Sequence, residues 1–227
     1  MLKSDLADTV VVLDLDDTLY PEEAYVRSGI LAACALAGDL YGVDHGADLL
    51  SLRDAGQRDW LTALCSLLPA GIDTRDALLW AYRLHRPDIA LATGVRETVA
   101  ALETHARSVA ILTDGRSITQ RLKLGALGLD HLPVYISDEY GGAFKPDQTR
   151  FRAVMADFPA DQYVYVADNP AKDFAAPNAL GWSTIGVRGN EPGVHSQGAG
   201  TAPDDNPDCW IAGVADLLGP EERLQPF

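Results

Sequence analysis

Five short runs rich in β-branched and apolar residues recur along the chain: "TVVVLDL" (9–15), "SVAILTD" (108–114), "PVYISDE" (133–139), "YVYVADN" (163–169) and "WSTIGV" (182–187). Nearly continuous apolar runs of this length suit strands buried on both faces rather than strands with one wet side. Between the later runs lie stretches of helical period, 95–105, 118–127 and 150–158. Strand and helix in alternation predict an α/β architecture, a doubly wound parallel sheet with helices on both faces. Sheets of this kind bind ligands at the carboxyl ends of their strands.

The first interval breaks the rhythm. Asp14 and Thr113 stand about 100 residues apart, whereas a crossover between parallel strands needs only about a dozen or more. The interval holds helical patterns, "AYVRSGILAACALAGDLYG", "ADLLSLRDAGQRDWLTALCSLL" and "RDALLWAYRL", and no convincing strand. The expected organisation is therefore a sheet core built from residues 1–19 and 94–227, with a small all-helical unit over 20–93 joined near Pro21 and Gly94. A helical unit hinged at both ends beside the strand ends reads as a lid. The segment 189–208, rich in Gly, Pro, Asn and Asp, is expected to be an irregular loop.

Charge narrows the partners. The formal net charge is -15, a field that repels nucleic acid and anionic membrane surfaces, so neither is expected. A phosphorylated substrate has to be drawn in by local positive charge or a metal ion. Cys34, Cys65 and Cys209 are odd in number and form no CxxC pair, which suits reduced thiols. Asp5 and Asp8 stand where a secretory signal would need basic and then apolar residues, and the longest apolar run is 30–37. A bilayer span needs roughly 20 such residues. A cytoplasmic protein, monomer or homodimer, is the expectation.

The strand ends carry the chemistry. In an extended strand, residues i and i+2 share a face, so Asp14 and Asp16 are expected to point the same way. Two carboxylates about 6–7 Å apart repel by roughly 2–3 kcal/mol at an effective dielectric near 20. A strand end that keeps both needs a cation or a proton there. "ILTDGR" ends in the hydroxyl of Thr113, followed by Asp114 and Gly115, where backbone can approach a ligand closely. "GGAFKPD" supplies Lys145, and "YVADNPAKDF" supplies Asp168 and Asp173. A nucleophile, a hydroxyl, a lysine and an acidic pair thus arise in order from four strand ends. His45, His85, His105, His131 and His195 show no paired ligand spacing. Tyr25, Trp60, Trp80 and Tyr82, at helical spacing, read mainly as core of the helical unit.

"DLDDT", "TDG", "KPD" and "DNPAKD", in this order, resemble the four motifs of the haloacid dehalogenase superfamily of hydrolases. The spacing resembles members with a helical cap inserted after the first motif, and the resemblance covers nearly the whole chain. It implies a Rossmann-like core in which Asp14 attacks phosphorus to form an aspartyl-phosphate, while Asp16 protonates the leaving oxygen and then activates water. It also implies that Thr18 orients Asp16 by a hydrogen bond. Thr113, Asp114, Gly115 and Lys145 would contact the transferring group, with Arg27 of the cap also expected at the substrate. Magnesium (Mg2+) would be held by Asp14, the Asp16 backbone carbonyl and Asp168, with Asp173 in support. Asp17 receives no role beyond a turn. One departure is Ala167, where many members have Gly before the last motif.

Within that resemblance, Asp16 argues against a dehalogenase, and the absence of lysine from 20–93 argues against a phosphonate hydrolase. The leading expectation is a phosphatase acting on a small phosphorylated metabolite, with a sugar phosphate favoured. A pyrimidine or other 5'-nucleotidase and a phosphosugar mutase are the alternatives. A catalytically silent binding module is the reading from another class, and it predicts the loss of Asp14, Asp16, Lys145 or Asp168. All four are present.

Overall fold

Val10, Val11, Val12 and Leu13 are each wholly buried, and the position of their strand explains it. The computed structural model describes residues 6–69, 73–188 and 205–218. Its strands are β1 (Thr9–Leu13), β2 (Ser108–Thr113), β3 (Val134–Ile136), β4 (Gln162–Ala167), β5 (Ser183–Val187) and β6 (Cys209–Ile211). They form one sheet in the order β3-β2-β1-β4-β5-β6, parallel throughout. β1 is therefore central, with Leu13 beside Ile111 of β2 and beside Val166 of β4. The connections reverse direction between β1 and β4, and that switch point is where an open sheet of this type leaves a crevice.

Alternate residues of each strand enter opposite cores. Val11, Leu13, Val109, Ile111, Val164 and Val166 pack with Val99 and Leu102 of α5 (Thr93–His105) and with Leu124 and Leu127 of α6 (Ser117–Leu127). Val10, Val12, Ala110, Leu112, Tyr165 and Ala167 pack with Phe151 and Val154 of α7 (Thr149–Asp157) and with Phe174 and Ala176 around α8 (Ala175–Ala179). The period of two along strands and the helices on both sides are those of the expected doubly wound α/β fold.

Between β1 and β2 the chain forms α1 (Glu22–Tyr41), α2 (Gly46–Asp54), α3 (Trp60–Leu67) and α4 (Arg75–Leu84). No strand occurs among the described residues of this stretch. The helices have their own cluster, made by Ile30, Ala33, Cys34, Ala37, Leu49, Leu61, Leu64 and Leu78. The pattern over 47–68 divides into two helices because Asp59 caps the second, accepting a hydrogen bond from Thr62 N at 3.0 Å. α4 packs near α6, and Val26 and Tyr82 of the insertion reach the core beneath α5 and α6.

Two details differ from the sequence reading. The run 133–139 is a strand only over Val134–Ile136, after which Ser137–Tyr140 coils into a 3-10 turn. The strand β6 was not expected, and it sits against Gly186 of β5, where a Cβ would meet the Trp210 ring at 2.4 Å. Of the expected loop over 189–208, residues 189–204 lie outside the described residues, and 205–208 contain no strand. No described helix is long and apolar enough to cross a membrane.

Candidate active site

Asp14 follows β1 directly, and its backbone N–H extends the ladder by one bond, donating to Val166 O at 2.9 Å. Its carboxylate is nearly sealed from solvent. Lys145 Nζ lies 3.0 Å from Asp14 Oδ1 and 2.6 Å from Asp173 Oδ1, and donates to Tyr165 Oη at 3.0 Å. Asp168 stands just past β4, and Asp173 closes the following turn by accepting from Asn169 N at 2.8 Å. One carboxylate oxygen from each of Asp14, Asp168 and Asp173 lies within 4.8 Å of the others. The expected convergence of strand ends is thus present for these four residues.

Three buried carboxylates facing one lysine leave an excess of negative charge. Burial pushes the Asp14 carboxyl up to about 6, and Asp173 adds to the effect while Lys145 opposes it. Burial, reinforced by Asp14 and Asp173, pushes Asp168 up to about 8. Burial works against the charge of Lys145 but is outweighed by Asp14 and Asp173, which hold its ammonium well above the ordinary lysine range. Asp173 Oδ1 is buried and faces the Lys145 ammonium at 2.6 Å. Oxygen donors alone, crowded and over-charged, fit a hard divalent cation of the magnesium class.

The other motif residues are arranged around this cluster. Thr113, at the end of β2, accepts a hydrogen bond at Oγ1 from Gln120 Nε2 at 2.7 Å. Asp114 is paired with Arg150 Nη2 and accepts from Lys145 N at 3.3 Å, so it acts as a brace for the lysine loop. Gly115 has φ 142, a conformation that favours glycine, and a Cβ there would crowd the Gln120 side chain at 3.1 Å. Arg27 is engaged with Asp54 of its own helical unit at 2.5 Å, and its described ion-pair partner is not a member of the cluster.

One expectation about the first motif needs correction. Asp16, like Asp14, lies beyond the end of β1. Its carboxylate is turned to α6, where Lys123 Nζ reaches both oxygens at 2.7 and 2.9 Å and Gln120 Nε2 reaches Oδ2 at 2.9 Å. Tyr20 also donates to it. Burial raises the cost of its charge, yet Lys123 and these hydrogen bonds outweigh burial and hold Asp16 below the usual carboxylate range. Thr18 does not bond Asp16: its hydroxyl donates to Asp168 Oδ1 at 3.4 Å. The reason is the turn at Asp17, whose φ of 56 redirects the chain. Asp17 also accepts from Glu22 N at 2.8 Å, serving the first turn of α1.

A family model described as haloacid dehalogenase-like hydrolase matches residues 9–181. The chain belongs to that family. The ribulose-1,5-bisphosphate 5-phosphatase of Halopiger xanaduensis is 28% identical over 202 residues, covering 78% of this chain and 83% of that protein. Among solved structures, the magnesium-bound hydrolase YfnB of Bacillus subtilis aligns with a TM-score of 0.61 at 19% identity, over 92% of this chain and 96% of YfnB. CbbY of Rhodobacter sphaeroides, solved with phosphate, aligns with a TM-score of 0.57 at 17% identity, over 94% and 97%. These structures share the fold.

In this haloacid dehalogenase-like hydrolase, several residues around the site were missed by sequence reading. Gln120 and Lys123 lie one turn apart on α6, on the face that also buries Leu124 and Leu127. Two polar residues on a buried helical stripe were a legible signal, because such groups persist only when bonded. Arg150 is another, fully buried and donating to Thr113 O at 2.8 Å and Ala143 O at 2.9 Å while pairing with Asp114. Arg150→Met is expected to destabilise the fold by about 3–5 kcal/mol, since it strands a carboxylate and the carbonyls of Thr113, Ala143 and Tyr135. Urea denaturation measures it, and a loss below about 1 kcal/mol would mean the brace is dispensable.

Proposed function

We propose that this hydrolase is a phosphatase of small phosphorylated metabolites, with a sugar phosphate as the favoured substrate. The observation that carries the reading is the Asp14 carboxylate, held 3.0 Å from Lys145 Nζ beside Asp168 and Asp173. An Asp14 oxygen attacks phosphorus, the ester oxygen leaves, and the phosphoryl group is carried on the aspartyl side chain. In this reading Asp16 supplies the proton to the leaving oxygen and takes one from the water that releases phosphate, a role that requires it first to loosen from Lys123 and take up a proton. Thr113 and Lys145 hold the transferring oxygens. A magnesium ion held by Asp14, Asp168 and the Asp16 backbone carbonyl, with Asp173 behind them, would supply the remaining positive charge to those oxygens. The relative named for a sugar bisphosphate supports the substrate class.

Residues 20–93 form the cap in this reading, hinged on the core made of 1–19 and 94–227, and they select the substrate, with Arg27 free to exchange Asp54 for substrate on closure. The proposed setting is the cytoplasm, where Cys34, Cys65 and Cys209, all free thiols, stay reduced.

The test is turnover of p-nitrophenyl phosphate with magnesium, followed by a panel headed by sugar mono- and bisphosphates and including nucleotides. Failure to hydrolyse any ester would overturn the reading. Magnesium at 100 times its dissociation constant is expected to stabilise the folded chain by about 2.7 kcal/mol. Asp168→Asn should remove most of that shift in melting temperature, and a shift left intact would overturn the metal assignment.

A further inference from the structure

The Gln120 side chain is buried to 1% exposure and its Nε2 contacts three oxygens: Thr113 Oγ1 at 2.7 Å, Asp16 Oδ2 at 2.9 Å and Asp114 O at 3.1 Å. Two of these, a carboxylate and a backbone carbonyl, only accept, so the amide must present its NH2 here and not its oxygen. Thr113 Oγ1 therefore receives a hydrogen bond, and an amide nitrogen cannot take the threonine proton in return. Among the described residues no hydrogen bond donated by the Thr113 hydroxyl is recorded, although Thr113 itself is 1% exposed. A buried hydroxyl with its acceptor side filled and its proton uncommitted is a donor waiting for an oxygen.

We infer that Gln120 is a positioning residue: it fills the acceptor side of Thr113 so that the hydroxyl proton points to the transferring phosphoryl oxygens, and it ties that donor to Asp16. Thr113 and Asp16 stand about 100 residues apart in sequence, and one amide sets both. Lys123, one helical turn further along α6, holds Asp16 from its other side and keeps Oδ2 within reach of Gln120. Tyr25 of α1 lies over this lysine, with Nζ 4.3 Å from the ring centroid, so the frame that orients the donor also touches the helical insertion. The inference rests on the phosphatase reading above.

The experiment is a double-mutant cycle between Gln120→Glu and Thr113→Val, with magnesium present. A glutamate has the shape of glutamine but accepts, so it takes the Thr113 proton and turns the donor away from the substrate. For the single Gln120→Glu variant, kcat/KM for p-nitrophenyl phosphate is expected to fall about 10- to 100-fold, and the inhibition constant for orthovanadate, which mimics the transferring group, to rise in parallel. In the Thr113→Val background Gln120→Glu should cost clearly less than it does alone, because the share acting through Thr113 is already gone and only the share acting through Asp16 remains. Gln120→Met removes the donor to Thr113 without adding charge, and carries the same comparison if the glutamate variant fails to melt cooperatively. Losses that multiply, or an unchanged vanadate constant, overturn the inference. A parent enzyme that hydrolyses no ester fails the phosphatase reading instead, so the two failures are distinct.

Discussion

Asp14→Asn is expected to abolish turnover while leaving the fold intact. The amide is a poor nucleophile, and its loss should cost on the order of 10⁴-fold or more in kcat, as removal of an attacking group does in other covalent hydrolases. Stability should move the other way. Asp14 is one of three carboxylates crowded around a single lysine, and burial already opposes its charge. Neutralising it removes repulsion from Asp168 and Asp173, so the metal-free variant is expected to melt no lower than the parent. Activity within about tenfold of the parent, equivalent to about 1.4 kcal/mol of barrier, would exclude covalent attack by Asp14. A sharp fall in melting temperature would show that the carboxylate holds the strand end together.

Lys145→Met is expected to damage both properties. The ammonium is fully buried between Asp14 and Asp173. Removing one member of such a group leaves uncompensated charge in a dry site, a loss of about 3–5 kcal/mol. For a chain of this size that lowers the melting temperature on the order of 10 °C. Turnover should fall as well, because the lysine is lost from the transferring oxygens. Scanning calorimetry with and without magnesium tests the account. A divalent ion should recover part of the lost stability, since it offers positive charge to the same oxygens, and it should not recover turnover. A variant as stable as the parent would mean that Asp14 and Asp173 tolerate each other without the lysine.

The contrast between these variants follows from what sequence pattern can and cannot carry. β1, β2 and β4 are legible as apolar runs because central parallel strands are buried on both faces. β3 lies inside the run read over 133–139, but its three residues are too few to fix where it ends, while β6 depends on Trp210 finding the bare backbone of Gly186, a contact between strands that no local pattern contains. Asp14, Lys145, Asp168 and Asp173 are legible because each directly follows, or sits a few residues beyond, a strand or its turn. Thr18 is not: its partner depends on the positive φ of Asp17, which sends the hydroxyl to Asp168 instead of Asp16. Gln120 and Lys123 lie inside a helix read only for its apolar stripe. Their polarity on that stripe was visible, but the oxygens they serve come from distant segments.

The order of strands has a practical consequence. The residues assigned to the chemistry come from chain up to Asp173, around β1, β2, β3 and β4, while β5 and β6 build one flank of the sheet and contribute none of them. The family match likewise stops at residue 181, just before β5 begins at Ser183. That flank is where a fused reporter, a surface tether or a stabilising redesign of Ser183 and Cys209 can be attached with least risk to catalysis. The opposite flank offers no such freedom, because the chain leaving β3 has to deliver Lys145.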